Sequence, residues 1–343
     1  MAAGPTTFMT CAVFTAERFQ GNPLAIVAVR ANSIPQHKKS LIAKEFGYSE
    51  TVFIHDAAGP GLPRKIDIFT ETGEEIPFAG HPVIGAAHYV FHTLEREPYR
   101  GPQDRDVPPQ KAAFITKAGL VPVFYNPYRQ LAACTVPHKF HIHSKAVTMD
   151  QILAVQPQLQ IIPTYEKVKT KSFPVVSLVK GMTFALVDLT DGPEVLAGLK
   201  TGEAPEVELD EEWKPSFSGC MYYKRRGFTE QGHGEPPIVN LQCRMIVQGF
   251  EDPGTGSASC ALACYLATIR KSEDLVAKTA GMKLEEGKLE HSIFAIEQGI
   301  EMGRKCTIAV EVDTKRDGDE QKIQTVILSG RANFILKGEI LGE

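Results

Sequence analysis

The 343-residue chain lacks a basic excess, any paired C-x-x-C spacing and any apolar run of membrane length. Each absence removes a class of function. Lys and Arg total 37 against 41 Asp and Glu, a net charge of −4, so no broad positive field exists to hold a phosphate backbone, and nucleic acid is not an expected partner. No window reaches the ~18 uncharged apolar residues of a spanning helix, and no membrane partner is expected. The start MAAGPTTFMTCAVF carries no basic segment followed by a long apolar core, which predicts a cytoplasmic protein. The seven cysteines (Cys11, Cys134, Cys220, Cys243, Cys260, Cys264 and Cys306) are odd in number and scattered. They read as reduced, buried thiols rather than a disulfide framework or a zinc knuckle.

Cofactor motifs are missing as well. GTGSAS at 254–259 is followed by no GK[ST] and, as a G-x-G-x-x-G pattern, fails at Ser259, so no nucleotide cofactor is expected. His88 and His92 have the spacing of an H-E-x-x-H site, but Tyr89 stands where the glutamate belongs, and the pair reads as packing or helix-end residues. His138, His141 and His143 have no carboxylate or thiol in their local motif, so no metal is expected there.

The chain does contain many short runs rich in β-branched and aromatic residues, among them PLAIVAV, ETVFI, KIDIFT, MTFALVDL and CTIAVEV. These predict strands. Helices are predicted in fewer places: IPQHKKSLIAKEF, PVIGAAHYVFHTLE, MDQILAV, GPEVLAGL and SASCALACYLATIRK. The mixture is α+β with strands in the majority, and the length suits two domains. Arg96–Lys111 and Thr201–Ser216 concentrate Pro, Gly and charge and read as solvated loops, with Asp210-Glu211-Glu212 a wet surface. A polar stretch from Asp313 reads as a hairpin tip.

FAGHPVIGAAHYVF and EDPGTGSASCALACYL echo each other: a Pro/Gly turn opens straight into a helix with few and small polar residues. A helix that is apolar on nearly every side must be buried, so each predicts the centre of a shell of strands.

Several blocks now stand in a recognisable order: VFTAERFQGNPLAIV, YSETVFI, IPFAGHPVIGAAHYV, RMI at Arg244, EDPGTGSASCALACYL and SGRANFILKG. Together they resemble the PhzF-like (phenazine biosynthesis) family of the diaminopimelate epimerase and proline racemase superfamily, from end to end. The resemblance implies two pseudo-symmetric epimerase-like domains, each a β-barrel-like sheet around a central helix, with the active site in the cleft between them. The domain boundaries expected are 1–133, completed by strands near 324–343, and 134–323. A homodimer is also implied.

Helix starts such as those at Gly80 and Gly256 offer unclaimed N–H groups and the positive end of a macrodipole, which suits a substrate carboxylate. Gly80, Gly254 and Gly256 would let that substrate approach the backbone closely. Racemases of the superfamily carry a cysteine before each central helix, but the matching positions here are Ala79 and Pro253, which disfavours a two-thiol mechanism. The PhzF-like proton carrier is a glutamate, matched by Glu50, whose apolar flank Val52-Phe53-Ile54 is suited to raising its pKa. His81 matches a histidine that binds substrate or assists proton movement; its ring could instead satisfy backbone at the helix start. Asp252 and Ser257, with Thr255 between them, match the EDPxTGS block. Asp252 would position a polar group of the substrate or Glu50, and Ser257 would hydrogen-bond substrate; a structural reading makes Asp252 a helix cap and Ser257 a support for the turn. Asn22 reads as a turn residue, with cleft lining as the alternative.

The function expected is therefore a cofactor-independent isomerase acting on a small carboxylate-bearing metabolite, with glutamate as general acid and base. A non-catalytic binding or scaffold protein of the same fold is the alternative, and a cysteine-type racemase is a disfavoured second one.

Overall fold

In a computed structural model, the structure describes residues 6–30, 34–94, 109–161, 169, 171–232, 234–269, 289–317 and 320–341. In chain order the N-terminal elements are β1 (Thr6–Val13), β2 (Asn22–Val29), α1 (Gln36–Phe46), β3 (Glu50–His55), β4 (Arg64–Thr70), β5 (Glu75–Ile76), α2 (Gly80–Tyr89), β6 (Gln110–Thr116), β7 (Gly119–Asn126) and β8 (Leu131–Thr135). There follow β9 (His141–Ile142), β10 (Val147–Thr148), α3 (Met149–Val155), β11 (Ser172–Phe173), β12 (Val175–Val179), β13 (Met182–Asp188), α4 (Pro193–Gly198), β14 (Phe217–Thr229) and β15 (Ile238–Val247). The chain continues with β16 (Phe250–Asp252), α5 (Gly256–Thr268), β17 (Leu289–Gln298), β18 (Cys306–Asp317), β19 (Glu320–Gly330) and β20 (Ala332–Ile340). The architecture is mixed α+β and dominated by strands. No described helix is long and apolar enough to cross a membrane.

Two compact units result, Met1–Val136 with Leu328–Glu343, and Pro137–Ile327. In the first, β1 runs antiparallel to both β2 and β20, β2 runs parallel to β3, and β3 runs antiparallel to β4. Val27, Val29, Phe53 and Phe69 form a core against α1, with the Phe53 and Phe69 rings edge to face at 5.5 Å. Beside that core Lys39, His55 and Asp67 are buried together, the His55 Nε2 to Asp67 Oδ2 distance being 2.7 Å. Burial alone would raise the Asp67 pKa, but hydrogen bonds from His55, Lys39 and Lys65 outweigh it and hold the carboxyl below its ordinary range.

In the second unit β13 runs parallel to β14, β14 antiparallel to β15, and β15 parallel to β17, which pairs antiparallel with β18. Phe173, Val187, Leu196, Tyr222 and Ile246 belong to its larger core. Here α3 starts with a reciprocal cap, the Thr148 side chain accepting from the Gln151 N–H while the Gln151 side chain accepts from the Thr148 N–H.

Both central helices are buried as their composition predicted: every residue of α2, and ten of the thirteen of α5. Beyond Tyr89, α2 widens into one π-helical turn over Val90–Leu94.

The loops depart from expectation in part. Thr201–Ser216 is not wholly solvated: Trp213 is buried, and Val207 and Leu209 pack on the core of the second unit, because the stretch carries an apolar residue every few positions. Asp210 is not a loose surface acid either. Its carboxylate accepts from the Ser144 N–H and hydroxyl and meets His141 Nε2 at 2.7 Å, and the Ser144 and His141 hydrogen bonds hold its pKa down at about 2. The loop expected at Arg96–Lys111 lies mostly outside the described residues. Strand β18 extends to Asp317, so the tip expected from Asp313 shrinks to a short link whose residues 318–319 are also outside the description.

Candidate active site

The first unit gathers three of the expected residues. Asn22 opens β2 and Glu50 opens β3; because these strands run parallel, with Ala25 opposite Thr51, both side chains stand at the same end of the sheet. The turn that delivers Asn22 requires Gly21, whose φ is +74° and where a Cβ would meet the Val13 carbonyl oxygen at 2.4 Å. Helix α2 brings His81 to the same place. His81 Nε2 lies 3.5 Å from Glu50 Oε2, and His81 Nδ1 lies 3.5 Å from Asn22 Nδ2. Since an amide nitrogen only donates, His81 Nδ1 is the acceptor, and the neutral ring carries its proton on Nε2, toward Glu50.

Glu50 is the most perturbed acid of this group. Its Oε2 is buried and accepts no hydrogen bond, although the side chain as a whole keeps 19% exposure. Burial raises its pKa to about 7; the Ser49 side chain opposes that shift and the nearby Glu71 charge adds to it. No side chain caps the first turn of α2, whose N-cap residue Ala79 is extended at φ −146°, ψ 140°. The helix thus begins with N–H groups that no cap side chain claims, and Gly80 at its first position is buried.

The second unit holds the other expected residues in a different kind of place. Asp252 is not the cap of α5; that position belongs to Thr255, because the chain needs three more residues after β16 to turn into the helix. Asp252 instead ties the approach together, accepting from the Gly254 N–H at 3.2 Å and from the Thr255 hydroxyl at 2.5 Å. Gly254 and Gly256 are buried, and Ser257 is half-buried on the first turn of α5.

One brace was not visible in the sequence. Gln298, fully buried at the end of β17, donates to the Asp252 carbonyl (2.7 Å) and the Thr255 hydroxyl (3.1 Å) and accepts from the Thr255 N–H (3.1 Å). Gly299 follows at φ +74°, where a Cβ would meet the Pro253 carbonyl oxygen at 2.7 Å. The Gln-Gly pair at the end of an alternating run was the only signal, and nothing local ties it to residue 252.

Arg244 also has a structural place. It forks onto Glu251 at 2.9 and 2.7 Å and donates to the Leu196 and Leu199 carbonyls, fastening the end of α4 to the β15–β16 hairpin. That hairpin sets Met245 opposite Asp252, which explains their close spacing in sequence.

No cysteine lies in the first four residues of α2 or α5. All seven cysteines are buried and outside any disulfide, and burial pushes Cys134 and Cys220 up to about 12 and Cys11, Cys243, Cys264 and Cys306 higher still. A possible metal set arises where the sequence showed no carboxylate: ligand atoms of His141, His143 and Asp210 lie within 4.8 Å of one another. The donors are already engaged, since His143 Nδ1 accepts from the Asp210 N–H (3.1 Å) and His143 Nε2 meets the Ser177 hydroxyl (2.9 Å). His141 further stacks on Trp213 at 4.6 Å. The cluster does the work of a loop anchor.

The sequence profile of phenazine biosynthesis-like proteins (PhzC-PhzF) matches residues 11–212 and 244–338. The chain belongs to this family. The unmatched interval, 213–243, covers β14 and the first half of β15. Among its relatives, an uncharacterized isomerase of Pasteurella multocida is 36% identical over 336 residues, covering 98% of this chain and 94% of the relative. The trans-2,3-dihydro-3-hydroxyanthranilate isomerase of Pseudomonas aeruginosa is 24% identical, covering 95% of each chain. In fold, the chain is similar to a crystal structure of a PhzF-family phenazine biosynthesis protein of Bacillus anthracis, with a TM-score of 0.65, 18% identity and coverage of 99% of this chain and 100% of the other.

Proposed function

We propose that the protein is a cofactor-independent isomerase that moves a proton between carbons of a small, carboxylate-bearing, unsaturated or cyclic metabolite. The observation that carries this reading is Glu50: a buried carboxylate oxygen without a hydrogen bond, at about pKa 7, facing His81 at 3.5 Å. A carboxyl so poised takes a proton from a carbon acid and returns it at neutral pH, since its conjugate acid is neither too strong nor too weak for either half of the cycle. Glu50 as the carboxylate accepts the proton from the substrate C–H, the electron pair moves into the adjacent unsaturation, and the resulting Glu50 carboxylic acid delivers the proton to the second carbon. Asn22 fixes the His81 tautomer, and His81 Nε2–H stabilises the Glu50 carboxylate before the first transfer and again after the second.

Family membership supports the reaction class, because several relatives are named isomerases and one is named for a hydroxyanthranilate isomerisation. The reading also assigns the substrate carboxylate to uncapped helix N–H groups, with the Ser257 hydroxyl as a further hydrogen-bond donor. Asp252 then acts as the residue that holds the start of α5 in place.

Proton NMR in D2O with cyclic amino acids and hydroxyanthranilate analogues tests the proposal. The expected result is deuterium entry at a substrate carbon, lost in Glu50→Gln and reduced through KM in Ser257→Ala. Binding of these compounds without any exchange would leave a binding protein as the better description.

A further inference from the structure

The Glu50–His81 group is not the only place in the first unit where polar chemistry surrounds open space. A cavity of about 250 Å³ is lined by Arg18, His88, His92, Tyr125, Arg331 and Asn333, among others, and among the described residues none of its lining is acidic. Glu50, His81 and Asn22 do not line it. His88 is seven residues beyond His81 on α2, about 10 Å along the axis.

Its two cations come from opposite ends of the chain. Arg18 stands in the β1–β2 loop and Arg331 between β19 and β20. The backbone locks these loops together: the Thr15 N–H donates to the Arg331 carbonyl at 3.2 Å, and the Asn333 amide donates to the Ala16 carbonyl at 2.9 Å. Among the described residues neither guanidinium has an ion pair or hydrogen bond. In a chain of net charge −4, two such arginines on one concavity, with no carboxylate among its described lining, make a local positive site. A guanidinium presents planar N–H pairs that match carboxylate or phosphate oxygens.

His88 adds a second requirement. It is 97% buried, and its Nε2 donates to the Gly330 carbonyl at 3.1 Å, which leaves Nδ1 as the ring's acceptor. Burial lowers its pKa to about 4, so the ring is neutral at physiological pH and does not compete with the arginines for the anion. The volume lies below the ~300–1,000 Å³ usual for drug-sized ligands and suits one small molecule rather than a dinucleotide.

The geometry points to a second small-molecule site, separate from the Glu50–His81 centre, that binds a phosphate- or carboxylate-bearing anion through Arg18 and Arg331 and takes an O–H or N–H donor of the same ligand at His88 Nδ1. Isothermal titration of the full chain with inorganic phosphate and, separately, with glycolate tests it and tells the two anion chemistries apart. The expected result is one saturable site for at least one probe, weakened about tenfold or more in Arg18→Gln and in Arg331→Gln, and unchanged in Glu50→Gln. Thermal melts without anion check that the arginine variants are folded. If Arg331→Gln is not, Arg18→Gln on its exposed loop, together with amide shifts at Arg18 and His92 in a phosphate titration of the wild-type chain, decides the question. Failure of both probes to saturate by about 10 mM, or binding that is lost in Glu50→Gln but kept in the arginine variants, overturns the proposal.

Discussion

The starts of α2 and α5 look alike in sequence and differ in how their polar groups are satisfied. At α5, Asp252, Thr255 and Gln298 close a ring of hydrogen bonds behind the turn, and Gly299 is fitted against Pro253. At α2, the Glu50 carboxylate is buried with one oxygen accepting no hydrogen bond, and the His81 and Asn22 contacts are long. A group satisfied on all sides has little reason to change protonation, whereas one desolvated and under-bonded sits near the point of changing it. On the proposed function the acid–base chemistry belongs to the first unit, while the helix start in the second is braced by hydrogen bonds.

The strongest way to break that comparison is Glu50→Gln. On the proposed function it lowers substrate deuteration by about 10²–10⁴-fold, measured by NMR, while far-UV circular dichroism stays unchanged. An equal loss in Cys11→Ser, with Glu50→Gln still active, would reverse the assignment to a thiol.

Next in size is the anchor of the second unit. Arg244→Met strands Glu251 as a buried unpaired charge and is expected to cost about 3–5 kcal/mol in urea unfolding. The double variant Arg244→Met/Glu251→Leu should recover most of that loss, which a catalytic role for Arg244 would not produce.

Stability against pH sharpens the first half of the comparison. The folded pKa of Glu50, about 7, lies above the unfolded value of 4.5, so between these the native state binds the extra proton. Its contribution to stability is then full below pH 4.5, declines as pH rises and is gone above about pH 7, on the order of 3 kcal/mol in all. Glu50→Gln removes this dependence, and its melting temperature should exceed that of wild type at pH 8 but not at pH 4.

Gln298→Ala probes the brace. Loss of its buried hydrogen bonds is expected to cost about 2 kcal/mol and to loosen Ser257, raising KM more than it lowers kcat. The smallest effect belongs to the thiols: iodoacetamide at pH 8 on the folded protein should leave proton exchange within about twofold of untreated enzyme, because buried thiols are poorly ionised.

Much of the fold was legible because it depends on local pattern. Alternation in PLAIVAV and ETVFI became β2 and β3, and the all-apolar helix after Gly80 is buried along its whole length. Glu50, His81 and Asn22 could be named from their motifs, and they meet in space. The Arg18–Arg331 pocket and the Asp210 anchor could not be read, since their members are separated by long stretches of chain and each residue alone resembles ordinary surface.

Composition and motif order by themselves determined an α+β chain of this family, two buried helices and a glutamate without a partner thiol. Periodicity and residue chemistry are written along one dimension, so one dimension suffices to read them. Only the tertiary structure decided that Glu50 is desolvated beside His81, that Thr255 rather than Asp252 begins α5, and that Gln298 braces the turn. Burial and hydrogen-bond partners depend on which distant strands come together, and it is those partners that set a carboxyl's pKa and a loop's rigidity.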